Sequence, residues 1–195
     1  GMCGQGSTVR TMERFDSRQG GRGAWEEVTP MKRARCAFVG VRLSGTIFVS
    51  GGAFMEGRSQ QQVLRNCEYY SPSANRWSEA EPMFHHRSRH AGAVVLGSLI
   101  VCGGSVAPKM VGWGLALDSA ERYVEEVGTW EKVKSMSTPR DWAAAASLGG
   151  RLYVFGGLRN SWSWTNPAAN DARLNSVESF DPVAGEWQPV PPMRV

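Results

Sequence analysis

The stretch that decides the fold is Arg140-Asp141-Trp142-Ala143-Ala144-Ala145-Ala146-Ser147-Leu148-Gly149-Gly150-Arg151-Leu152-Tyr153-Val154-Phe155-Gly156-Gly157. Taken alone, its alanine run reads as helix on intrinsic propensity. The same positions earlier in the chain forbid that reading, because the counterpart of the run is Phe38-Val39-Gly40-Val41, which is strand-like. Comparing the chain with itself therefore comes before any local assignment.

Working outward, the diglycines Gly51-Gly52, Gly103-Gly104 and Gly156-Gly157 recur at intervals of 52 and 53 residues, and Trp25, Trp77, Trp130 and Trp187 at 52, 53 and 57. Six residues after each tryptophan stands Met31, Met83, Met136 or Met193. Arg35, Arg87 and Arg140 each precede a diglycine by sixteen positions. Aromatics precede the tryptophans at Phe15, Tyr70, Tyr123 and Phe180, and a glutamate lies two before each, at Glu13, Glu68, Glu121 and Glu178.

Between these landmarks, Thr46-Ile47-Phe48-Val49, Leu99-Ile100-Val101-Cys102 and Leu152-Tyr153-Val154-Phe155 are short apolar runs ending at Gly-Gly, as in strands covered on both faces. Ala- and Gly-rich strands precede them, starting at Arg89 and at Trp142, and small side chains suit strands crowded near an axis. Ser-Pro-Ser-Ala-Asn and Asp-Pro-Val-Ala-Gly supply turns between the last two strands of a unit. Each unit thus has four antiparallel strands.

This pattern resembles the kelch repeat over nearly the whole chain, from Glu13 to Met193. The resemblance implies an all-β fold, a kelch-type β-propeller of four-stranded blades. Residues 1–195 then form one partial propeller, with a half blade at 13–31 and blades at 35–83, 87–136 and 140–193. About three and a half blades do not surround a channel, so the expectation is that further repeats or a second chain complete the ring. Exposed blade faces and strand edges favour self-association.

Composition narrows the function. A net charge of +4, with 22 basic and 18 acidic residues interspersed, gives no nucleic-acid signature. No apolar run is long enough to span a membrane, and no secretory h-region is present. Cys3, Cys36, Cys67 and Cys102 lie far apart without a CxxC pair, which fits reduced thiols in the cytoplasm and no zinc site. His85, His86 and His90 run from a turn into a strand, so they do not share a face for a metal. There is no nucleophile elbow, P-loop or dinucleotide fingerprint. We therefore expect no cofactor, no metal and no catalysis.

Residue types that recur in every copy serve the fold, so the repeated Arg and Glu are expected to pair between strands and the tryptophans to pack between blades. Partner contacts are sought where copies differ. The loops after the diglycines vary in length and carry Phe54, Met55, Trp113, Trp162 and Trp164. In kelch propellers that recognise peptides, the start of the inner strand and the residues after the diglycine line the channel mouth. Carried over, that nominates Arg89, His90, Trp142, Arg159, Asn160 and Trp162, with Arg35, Arg87 and Arg140 bordering them. The concentration of arginine predicts a protein or peptide ligand of acidic character, and the family resemblance suggests the substrate-recognition part of a ubiquitin-ligase adaptor. The alternative is a kelch-fold enzyme or small-ligand propeller with its site at that mouth.

Overall fold

The structure is a computed structural model, and it describes residues 8–18, 20–56, 60–106, 115–159 and 173–194. The chain starts with a two-stranded half blade, β1 (Met12–Asp16) and β2 (Ala24–Val28). The first full blade contains β3 (Val39–Leu43), β4 (Thr46–Ser50), β7 (Cys67–Ser71) and β8 (Arg76–Ala80). Between its second and third strands stands a hairpin, β5 (Ala53–Glu56) and β6 (Gln60–Val63). The second blade repeats this plan with β9 (Ala91–Val95), β10 (Ser98–Cys102), β13 (Ala120–Val124) and β14 (Thr129–Val133), and a shorter hairpin of β11 (Ser105–Val106) and β12 (Leu115–Ala116). The third consists of β15 (Ala144–Leu148), β16 (Arg151–Phe155), β17 (Val177–Asp181) and β18 (Glu186–Val190). All pairing is antiparallel.

The alanine run is therefore strand β15, as the internal repeat requires. It begins two residues later than the sequence suggests, and so does β9. Arg89 and Trp142 have φ of 57° and 59°, and a left-handed residue cannot continue an extended strand.

Blades stack face to face, and the core lies between them. Leu43, Phe48, Cys67 and Met83 of the first blade pack on Leu99, Val101, Tyr123 and Trp130 of the second. Ala91, Val95, Ile100, Cys102 and Met136 of the second pack on Leu152, Val154 and Phe180 of the third. The inner strands β3, β9 and β15 lie against one another from blade to blade. At Gly92 a Cβ would come 3.3 Å from Val39 of the neighbouring blade and 2.9 Å from the Ile100 carbonyl, which explains why small residues are needed there.

Each tryptophan adds a polar stitch to this packing. Trp77, Trp130 and Trp187 donate from Nε1 to the carbonyls of Thr29, Glu81 and Lys134, at the end of the outer strand of the preceding blade. Trp77 and Trp130 are buried, whereas Trp25 of the half blade is 68% exposed. Among the described residues the half blade is represented by β1 and β2, its two outer strands. An apolar pocket of about 390 Å³ opens beside it, lined by Met12, Met31, Phe38, Val41, Ile47 and Trp77 among others.

Candidate functional site: the inner rim of the loop face

The repeat arginine organises the end of each blade that carries the crossover and post-diglycine loops. Arg35 Nη1 donates to the carbonyls of Gly51 and Asn66, and its Nη2 lies 2.5 Å from Glu68 Oε1. Arg87 makes the same set of contacts with Gly103, Ser119 and Glu121, and Arg140 with Gly156, Ser176 and Glu178. The glutamates also accept backbone N–H groups of the crossover from the preceding unit: Lys32 and Arg33 onto Glu68, Phe84 and His85 onto Glu121, Ser137 onto Glu178. Burial opposes the ionisation of Glu121, but the Arg87 charge and these hydrogen bonds outweigh it and hold its carboxyl below the usual range.

All three arginine side chains are fully buried. Their side chains offer no surface at the rim that the sequence reading had them bordering, while the expected pairing with Glu is present. A side chain that donates to two carbonyls and a carboxylate in one fixed geometry is part of the blade, and its recurrence is explained by that structural task.

The diglycines close the other side of this arrangement. The amides of Gly52 and Gly104 donate to the carbonyls of Arg87 and Arg140 in the next blade, at 2.9 and 2.8 Å. Both glycines of each pair have positive φ, and a Cβ on Gly51 or Gly52 would come within 2.6 Å of a backbone oxygen, so no other residue fits there.

Two residues after each arginine the backbone again repeats while the side chain does not. Ala37, Arg89 and Trp142 all adopt left-handed φ, and they are joined across blades by hydrogen bonds from Arg89 N to Ala37 O and from Trp142 N to Arg89 O. Left-handed geometry costs a non-glycine residue free energy, yet here it recurs in each blade. The position is a fixed pedestal on which the side chain varies.

On that pedestal the structure brings Arg89 and Trp142 together. The Arg89 guanidinium lies 5.5 Å from the Trp142 ring centroid, donates from Nε to Asp141 Oδ1 at 3.2 Å, and donates from Nη2 to Ser105 Oγ at 2.5 Å. Trp142 is 59% exposed. Arg159 stands on an exposed bend directly after Leu158, which is bridged to Asp141, the neighbour of Trp142. Ser105 is a contact that the sequence reading passed over, although it follows a diglycine and so carried the signal that nominated Arg159.

His90 is placed differently. It is 6% exposed, its Nε2 is 3.2 Å from Ser50 Oγ, and its ring is packed against Gly51 of the preceding blade. Burial, then the charges of Arg87 and Arg35, push its pKa down to about 3, so the imidazole is neutral. This corrects its nomination as a contact residue, since a core ring cannot meet a partner. Asn160 and Trp162, with Met55, Trp113 and Trp164 as loop anchors, fall on residues or side chains outside the described part.

The Kelch motif matches residues 34–84, 86–137 and 143–194. The chain belongs to the kelch repeat family. Beta-scruin of Limulus polyphemus is 29% identical over 88% of this chain and 18% of its own length. Kelch-like protein 26 of Homo sapiens is 30% identical over 73% of this chain and 21% of its own length. An F-box/kelch-repeat protein of Arabidopsis thaliana is 32% identical over 64% of the chain and 33% of its own. The chain thus spans about a fifth to a third of these curated relatives. The solved structure of YjhT superposes with a TM-score of 0.76 at 14% identity, covering 94% of this kelch chain and 60% of that one, a likeness of fold.

Proposed function

We propose that the chain is a protein-recognition module, not an enzyme, whose partner contacts the inner rim of the loop face through Trp142, Arg89 and Arg159. The observation that carries this reading is the pedestal: a backbone held constant from blade to blade that presents Ala37, Arg89 and a largely exposed Trp142. Scaffold and display are separated there, as in binding sites carried on the loops of a rigid framework. Membership of the kelch family supports the same reading, since kelch domains generally bind proteins. The presence of kelch-like and F-box/kelch-repeat proteins among the relatives supports a role as the substrate-recognition part of a ubiquitin-ligase adaptor. Unpaired Cys36, Cys67 and Cys102 are compatible with work in the reducing cytoplasm.

The test is a quantitative affinity capture with the chain and with its Arg89→Glu/Trp142→Ala variant, after both are shown to unfold at the same temperature. Proteins held by the parent and lost by the variant are the expected result. Identical captured sets would place the partner surface elsewhere.

A further inference from the structure

The reading just given leaves the ligand's chemistry open, and the charge arrangement at the rim addresses it. The arginines that make this end of the molecule look cationic in sequence are internally compensated. Arg35, Arg87 and Arg140 are buried against Glu68, Glu121 and Glu178, His90 is neutral, and Arg89 faces Asp141. Of the nominated rim positions described, Arg159 is left as an exposed cation, with Arg173, bridged to Leu158, exposed beside it.

Trp142 is the large exposed surface beside this compensated set. Its backbone is pinned by the bond to Arg89 O, and the ring is approached by a guanidinium that Asp141 and Ser105 hold in place. An aromatic ordered before binding loses little freedom when a partner covers it, and tryptophan contributes disproportionately to interfaces for this reason. A carboxylate ligand, by contrast, would have to compete with Asp141 for a guanidinium whose charge is already partly satisfied.

We infer that the rim recognises an extended peptide segment through an apolar side chain, aromatic, aliphatic or proline, seated on Trp142, with Arg89 acting as a fixed donor to a main-chain carbonyl and not as the receptor of an acidic group. This rests on the loop face being the binding face. It differs from the sequence expectation of an acidic ligand, because three of the five arginines behind that expectation are inside the blades and a fourth has its carboxylate partner.

The probe is a phage-displayed library of random linear peptides panned on the whole chain, followed by fluorescence anisotropy of the enriched peptides. Enrichment should centre on an apolar or proline position without an acidic consensus. Affinity should change less than about threefold between low and high salt, because little of it is screened charge. Trp142→Asn, which keeps a residue tolerant of left-handed φ, should weaken binding at least about tenfold, and Trp142→Phe much less. An acidic consensus, a steep salt dependence or failure of any peptide to enrich overturns the inference. If Trp142→Asn is neutral while Arg159→Glu abolishes binding, the rim is the site and the apolar anchor is wrong. If neither variant changes binding, the placement of the site falls as well.

Discussion

Arg87 Nη2 lies 2.6 Å from Glu121 Oε1 with both side chains fully buried, and the same pairing recurs between Arg35 and Glu68 and between Arg140 and Glu178. Removing one partner of such a pair leaves an uncompensated buried charge, at a cost of about 3–5 kcal/mol. Arg87→Met should therefore lower stability by that order in urea unfolding. The exposed Lys134–Glu186 pair is the control, since such pairs contribute about 0–1 kcal/mol. If Arg87→Met and Lys134→Met cost the same, the buried pair does not hold the blade as described.

The two end faces of the stack should associate. Ala144, Ala146, Leu148, Tyr153, Phe155 and Met193 occupy the positions at which Ala91, Ala93, Val95, Ile100, Cys102 and Met136 receive the third blade, and Leu148 is 72% exposed. At the other end Phe15 and Trp25 stand open. Light scattering should find dimers or larger species at micromolar concentration, and Leu148→Lys with Phe155→Lys should shift them towards monomer. A compact monomer of the parent chain contradicts this.

Cysteine reactivity should follow burial. Burial pushes Cys67 and Cys102 up to about 12, while the half-buried Cys36 is raised less and lies near Arg89, which opposes the rise. Alkylation of native protein, read by peptide mass spectrometry, should label Cys36 well before the other two. Equal labelling at all three would mean that the blades open on the timescale of the reaction.

The fold was legible because it is periodic: tryptophans, diglycines and arginines at one spacing outweigh the helical propensity of Ala143 to Ala146. The pairing of Arg with Glu was legible for the same reason. The site was less so. Sequence places Arg87 and Arg89 two residues apart without telling which lies beneath the surface, and Arg87 is buried while Arg89 reaches the rim from a left-handed backbone position. His90 illustrates the same limit. Its place at the start of the inner strand nominated it as a contact, but its counterparts Phe38 and Ala143 are half-buried apolar residues, and the ring turns inward as they do.

That buried histidine gives the final prediction. Its pKa near 3 in the folded chain lies below the 6.5 of an exposed imidazole, because burial, Arg87 and Arg35 all disfavour the charged ring while Ser50 Oγ bonds its Nε2. The unfolded chain therefore binds a proton that the folded chain refuses. Stability is fully present above pH 6.5 and is lost as pH falls from there towards the folded value, at about 1.4 kcal/mol per pH unit from this one residue. His86, also lowered, contributes in the same direction, and Glu121, held below the usual carboxylate range, adds to the loss at more acidic pH. Urea unfolding between pH 7 and pH 5 isolates the histidines. His90→Phe, the residue type that the first blade uses at Phe38, should remove most of the slope while keeping the packing, and His86→Gln should remove little. If the His90→Phe variant loses stability on acidification as steeply as the parent, His90 is not the neutral core ring that its contacts with Ser50 and Gly51 describe.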